Sequence, residues 1–265
     1  MDKPLALQLS ALSHPQRLAL FGLLMRRFPD RLPAGEVGRV LGARPSTLSA
    51  WLNDLSEAGL IEHERRATSL LYRARPEGAQ ALVAALLGDV CRGRADPVPT
   101  EPTGAVRNVL FLGAGNAARS LMAEALLRDA AGARFEAFSA ALGPPAEPAP
   151  EVLAMLGELG HDNGLLWAKP ADGFLDDAAP RMDLVISLSD EAVNDGLRRW
   201  PGAPVQAHWG LPDPLRAEDE AEALAQCYLT LRARIDRLAA LPAELPRDAL
   251  QAELDALASM GAEEG

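Results

Sequence analysis

The sequence predicts an α/β multidomain chain: a small helical domain that closes in a strand pair, then a larger domain with a mainly parallel sheet. Three observations predict it. Apolar residues recur at helical spacing through the first 90 residues, with two short strand-like runs at 61–66 and 69–75. From about residue 107, strand and helix patterns alternate, the order that builds a doubly wound parallel sheet with helices on both faces. Between them, residues 95–105 carry three prolines and no hydrophobic period, as a semi-extended linker does. With 265 residues, 48 % of them hydrophobic and 24 % charged, the chain is long enough for two modest cores.

In the first domain, residues 1–94, helices are expected at 5–12 and 15–26, the second placing Leu18, Phe21, Leu24 and Met25 on one stripe. A shorter helix at 33–41 has Val37, Val40 and Leu41 apolar and is stopped by Gly42. After a turn through Ala43 and Arg44, Pro45 suits the first position of a helix that buries Leu48, Leu52 and Leu55 and ends at Gly59. The two strands, joined by a tight turn, form a wing, and residues 79–90 read as a last amphipathic helix. Two short helices around a glycine-containing turn, followed by a wing, make a winged helix-turn-helix.

Three motifs in order carry a resemblance. Ala11-Leu12-Ser13-His14-Pro15-Gln16-Arg17-Leu18 is similar to the opening of the ArsR family of bacterial repressors. Pro45-Ser46-Thr47-Leu48-Ser49 and Leu55-Ser56-Glu57-Ala58-Gly59-Leu60-Ile61 resemble that family's recognition helix and its exit. The resemblance covers roughly residues 5–90. It implies a homodimer, paired through the first and last helices, that reads two half-sites of double-stranded operator DNA. On the exposed face of the recognition helix lie Arg44, Ser46, Thr47, Ser49, Ala50 and Asn53, whose small hydroxyl side chains allow close approach to a major groove. Arg65, Arg66 and Arg73 in the wing are candidates for phosphates or the minor groove. Taken singly, Ser46 and Thr47 serve equally as a helix cap and the arginines as a solvated face; the surrounding pattern points to DNA. Trp51 either packs at the helix edge or touches the sugar–phosphate backbone.

Charge agrees with that division. Residues 1–95 hold 13 Lys+Arg against 9 Asp+Glu, while the rest hold 13 against 28. Only the first domain has the balance that suits nucleic acid. Residues 33–41 contain no cysteine, and the last helix offers only Glu77, Asp89 and Cys91, so no metal site is expected there. Cys91 and Cys227 give no disulfide framework. No apolar run nears the ~20 residues that span a bilayer, and the start lacks a signal peptide's apolar core. A cytoplasmic protein with no membrane attachment and no cofactor is expected.

The second domain, residues 106–242, alternates strands at 107–112, 134–139, 182–188 and 205–209 with helices at 120–130, 151–159 and 216–240. A tail, 243–265, has Leu250, Leu254 and Leu257 on one helical face, to dock on the body or on another subunit. The chemistry-bearing loop follows the run Asn108-Val109-Leu110-Phe111-Leu112: Gly113-Ala114-Gly115-Asn116-Ala117-Ala118-Arg119-Ser120. A strand, a tight loop and a helix N-terminus bearing an arginine make a cradle for a tetrahedral oxyanion. Backbone N–H groups point inward, the helix dipole favours negative charge, and Arg119 can grip two oxygens. Gly115 and Asn116 tolerate the left-handed backbone that such a nest requires.

This loop resembles the phosphate-binding loop of the low-molecular-weight protein tyrosine phosphatases and their arsenate reductase relatives, over about residues 106–242. The resemblance implies a cysteine nucleophile where Gly113 stands, a thiolate-supporting serine where Ala117 stands, and an oxyanion clamp at Arg119. It also implies a leaving-group acid at Asp213, in Trp209-Gly210-Leu211-Pro212-Asp213-Pro214. Glycine has nothing with which to attack, so covalent catalysis of that kind is excluded. Without a thiolate the loop is more positive and suits a small anionic effector, whether phosphate, arsenate or a phosphorylated metabolite. Gly113 is expected to leave room for a ligand larger than phosphate. Asp213 reads nearly equally as a ligand to the anion and as a turn residue or helix cap, and His208 and Trp209 as pocket lining. Cys227 reads as a core or surface residue. Three readings stay open: a transcriptional regulator that senses an oxyanion, a fused reductase or phosphatase with another nucleophile, and an interaction module.

Overall fold

Proline starts and glycine stops set the helices of the first unit. The computed structural model describes residues 3–66, 69–90, 106–176, 179–194 and 200–260. The expected turn at 67–68, Cys91, the 95–105 linker and the end of the tail lie outside them. The chain divides into two units, Met1–Pro99 and Thr100–Gly265. The first begins with α1 (Lys3–Leu12), α2 (Pro15–Arg26), β1 (Leu32–Pro33), α3 (Ala34–Leu41) and α4 (Pro45–Glu57). Proline opens α2 and α4, where a missing N–H is no loss. Gly42 closes α3 at φ +62°, a left-handed turn that a β-carbon would strain. β2 (Ile61–Arg66) and β3 (Ser69–Ala74) pair antiparallel, Ile61 opposite Ala74, and β1 adds to the other edge of β3. α5 (Pro76–Ala85) runs on into a wider turn, Leu86–Val90.

The core of this unit gathers Leu20, Leu23, Leu24, Leu32, Val37, Leu52, Leu55 and Leu60 from α2, β1, α3, α4 and the start of the wing. One expectation is corrected here. Leu18 is 49 % exposed, and α2 instead buries Leu20, Phe21, Leu23 and Leu24. Leu7 and Leu9 on α1 and Val83 on α5 are exposed as well, so the outer faces of these helices carry large apolar side chains.

The second unit is built on β4 (Arg107–Gly113), β5 (Phe135–Ala141), β6 (Leu184–Ser187) and β7 (Val205–His208), all parallel, in the order β5-β4-β6-β7. Its helices are α6 (Arg119–Ala131), α7 (Pro150–Glu158), α8 (Asp190–Asn194), α9 (Glu220–Ala240) and α10 (Arg247–Ala258). Strand side chains alternate between faces. Val109, Phe111, Leu184 and Ile186 share one cluster with Leu121 and Leu127 of α6, Leu231 and Ile235 of α9 and Leu254 of α10. Leu110, Leu112 and Val185 pack on the other face against Ala171, Met182 and Trp200. From β4 the chain passes to β5 on one side and then crosses to β6 on the other. The carboxyl end of β4 is therefore the topological switch point, where ligands bind in sheets of this kind.

α9 starts later than residue 216 because Asp219 caps it, accepting the Glu222 N–H at 3.1 Å, while Pro214–Arg216 forms a separate short turn. The tail docks on its own chain. Leu250, Leu254 and Leu257 enter the main cluster, Trp209 Nε1 donates to the Leu254 carbonyl at 2.9 Å, and the buried Arg234 donates to the carbonyls of Trp209 and Ala258 at 3.1 and 2.9 Å.

Candidate functional site

Four carbonyls decide which way the loop after β4 faces. The N–H groups of Leu142, Gly143, Ala146 and Ala149 donate to the carbonyls of Gly113, Ala114, Gly115 and Ala117 at 2.8–3.0 Å. In a trans peptide plane the carbonyl and the following N–H point in opposite directions. Fixing those oxygens on the 142–149 segment therefore turns the N–H groups of Ala114, Gly115, Asn116 and Ala118 to the other side, where no acceptor takes them among the described residues. α6, thirteen residues long, begins at Arg119 and adds the positive end of its dipole.

The corner of the loop is Asn116, with φ +56° and its side chain buried. Its Nδ2 donates to Ser120 Oγ at 3.0 Å and to Ser139 Oγ at 2.8 Å, and its Oδ1 accepts the Lys169 N–H at 2.9 Å. Ser139 in turn donates to Glu124, a buried carboxylate also paired with Arg128 and with Lys169 Nζ at 3.3 Å. This second ring of polar groups holds the left-handed corner rigidly. Sequence reading missed it. Its one available signal was Glu124, an acidic side chain one helical turn beyond Ser120; Ser139 and Lys169 arrive from distant elements.

At Gly113 the structure corrects an expectation. A β-carbon there would stand 2.8 Å from Ser120 Oγ and 3.6 Å from Asn116 N, so the space that a side chain at 113 would take is already filled by the Ser120 hydroxyl. The hydroxyl adjoining this position is that of Ser120, not a residue at 117. Arg119, nearly buried, donates from Nη1 to the Leu211 carbonyl at 2.5 Å and approaches Asp213 Oδ2 through Nη2 at 3.6 Å. Asp213 acts as a cap. It caps the Pro214–Arg216 turn, accepting the Leu215 N–H at 3.4 Å, and it stands beside the arginine of the loop.

Trp209 is fully buried in the core and does not line the loop. His208 bonds Ser187 Oγ through Nδ1 at 2.8 Å and Asp190 Oδ1 through Nε2 at 3.1 Å. Gly210 makes that close set possible, since a β-carbon there would lie 2.7 Å from His208 Nε2. Cys227 is buried, which pushes its thiol up to about 11; Arg119 and Arg234 pull the other way more weakly. A thiol protonated at neutral pH is a poor nucleophile.

In the first unit Ser46, Thr47, Ser49, Ala50 and Asn53 are exposed on α4, and Arg44 is exposed at the cap position just before it. Ser49 Oγ donates back to the Pro45 carbonyl at 2.9 Å. Trp51 is half-buried against the His14 ring, 6.0 Å between centroids. Arg65 and Arg66 are exposed on the wing. Arg73 is placed differently. It pairs with Glu62 at 2.6 Å and lies over the Phe28 ring, 5.6 Å from its centroid, so this side chain braces the base of the wing. Among the described residues, no helix is long and apolar enough to cross a membrane.

Residues 108–253 match the family described as low molecular weight phosphotyrosine protein phosphatase. The HTH-type transcriptional regulator YgaV of Escherichia coli is 35% identical over 83 residues, 31% of this chain and 82% of that protein. The biofilm growth-associated repressor of Agrobacterium fabrum is 35% identical over 86 residues, 32% of this chain and 71% of that protein. Among solved structures, a thioredoxin-dependent arsenate reductase of Corynebacterium glutamicum is 26% identical, covering 60% of this chain and 69% of its own, with a TM-score of 0.38.

Proposed function

This chain belongs, through residues 108–253, to the low molecular weight phosphotyrosine protein phosphatase family, and its first unit belongs with HTH-type transcriptional regulators; we propose that it is a cytoplasmic, DNA-binding repressor whose phosphatase-like unit holds a small oxyanion without converting it. α4 enters the major groove of operator DNA with Ser46, Thr47, Ala50 and Asn53 toward the bases. Arg44, Arg65 and Arg66 meet phosphates. Two copies pair through the apolar outer faces of α1 and α5. The effector sits against residues 113–120 with Arg119 as its clamp and Asp213 beside it.

A single observation carries this reading. Four backbone N–H groups without a protein acceptor among the described residues and a helix N-terminus adjoin a glycine, in the place where the resembling enzymes hold their nucleophile, and the arginine that opens the helix stands beside Asp213. Binding is supported by every group there; attack is supported by none, since the nearby thiol of Cys227 is buried and protonated. The exposed Leu7, Leu9 and Val83 support the dimer.

Calorimetric titration of the full chain with phosphate and with arsenate tests the reading. Saturable binding is expected, weakened at least ~10-fold in Arg119→Ala, the scale of lost hydrogen bonds to a charged group. Failure of the wild type to bind either anion, or equal binding by Arg119→Ala, would overturn it.

A further inference from the structure

We infer that the cradle selects a tetrahedral oxyanion that still carries a proton, hydrogen phosphate or hydrogen arsenate, against sulfate and against phosphate monoesters, and that Asp213 makes the selection. The inference rests on the reading of residues 113–120 as an anion site and narrows it to inorganic oxyanions of one protonation type.

The loop itself offers only donors. The N–H groups of Ala114, Gly115, Asn116 and Ala118 face one side, and Arg119 adds its guanidinium. Ser120 Oγ already accepts from Asn116 Nδ2, and its O–H has no acceptor among the described residues. Donors of this kind satisfy any tetrahedral anion alike and do not distinguish phosphate from sulfate.

Asp213 brings a different chemistry to the same place. Its Oδ1 is taken by the Leu215 N–H. Its Oδ2 stands 3.6 Å from Arg119 Nη2 and 3.5 Å from Arg216 Nε, and Arg216 is itself anchored to Glu191 at 3.0 Å. Those contacts are ion pairs and not hydrogen bonds, so Oδ2 keeps lone pairs for a further donor. An anion oxygen that Arg119 holds at the usual ~2.8 Å on the side of Asp213 is able to reach that carboxylate. A carboxylate can only accept. Where the anion carries an O–H, the contact is a charge-assisted hydrogen bond; where it carries a bare oxygen, two negative groups meet. Near neutral pH phosphate and arsenate keep a proton and sulfate keeps none. In a monoester dianion the fourth oxygen is alkylated, so it has no proton to give.

Full-length protein would be titrated calorimetrically with sodium phosphate, arsenate, sulfate and phenyl phosphate at slightly alkaline pH and matched ionic strength, as wild type, Asp213→Asn and Arg119→Ala. In the wild type, phosphate and arsenate are expected to bind alike and sulfate and phenyl phosphate at least ~10-fold more weakly. Asp213→Asn keeps an acceptor for the Leu215 N–H and gains an N–H for a bare oxygen, so its sulfate affinity is expected to rise toward that of phosphate. Sulfate bound as tightly as phosphate by the wild type, or a ratio unchanged in Asp213→Asn, would overturn the selectivity. If such unselective binding is lost in Arg119→Ala, the anion site stands and only the role of Asp213 falls. If no anion binds the wild type, both fall together.

Discussion

Position 113 shows how one missing side chain alters a site without dismantling it. The loop carbonyls stay tied to residues 142–149, Asn116 keeps its left-handed corner, and Ser120 closes the space beside the glycine. Gly113→Cys therefore has a specific expected outcome. With Ser120 rotated off the new β-carbon, the thiolate attacks phosphorus of phenyl phosphate, forming S–P as the ester P–O bond breaks. The leaving phenolate takes its proton from water, since Asp213 stands as a carboxylate beside Arg119 and Arg216, and water then cleaves S–P to release phosphate. Phosphate release is expected to rise above the wild-type background at saturating phenyl phosphate, the ester that the cradle binds weakly. A folded Gly113→Cys variant that binds phosphate yet releases none would contradict an intact cradle. The contiguous residues 113–120 were legible in sequence because one loop supplies them all. The ring behind Asn116 was not, because Glu124, Ser139 and Lys169 meet only in three dimensions. The crowding at Gly113 depends on the position of a single hydroxyl and has no sequence signature.

Among the elements, the least legible were those governed by neighbours rather than period. The spacing of α2 allowed Leu18 inside, but α1, α3 and α4 take its opposite side, so Leu20 and Leu23 are buried instead. α9 began late because an acidic cap outcompeted helical continuation. α10 was legible as an amphipathic helix, though its partner was not: Trp209 and Arg234 bind its backbone to its own chain. That docking has a measurable cost at Asp255 of α10. Burial raises its carboxyl to about 6 from 3.8, with the Gln251 hydrogen bond opposing. The unfolded chain ionises there first, so the stability present below about pH 4 is lost as pH rises through about 6. Asp255→Asn is expected to remove that decline and to add on the order of 1 kcal/mol near pH 7, a figure reduced for partial exposure. Urea midpoints at acid and neutral pH measure it; identical pH dependence in the two proteins would contradict it.

For the whole molecule, the order of the two units was legible because each carries its motifs in continuous stretches, and the charge asymmetry separates them as well. What would join their functions is a thermodynamic requirement: an anion would control operator binding only if it favoured one conformation of the protein over another. Arg119 is suited to report the anion, since its present partners, the Leu211 carbonyl and Asp213, belong to the segment that Trp209 and Arg234 connect to α10. An anion that drew the guanidinium away from Leu211 and Asp213 would release that segment from the loop. The most direct test is the affinity of the full chain for a duplex selected from a random pool, read by fluorescence anisotropy with and without saturating phosphate or arsenate. Wild type is expected to shift by ~5–150-fold, a usual range for coupled sites, while Arg119→Ala binds the duplex equally well and ignores the anion. A wild-type affinity that does not move with either anion, or an Arg119→Ala protein that responds as wild type does, would contradict the account.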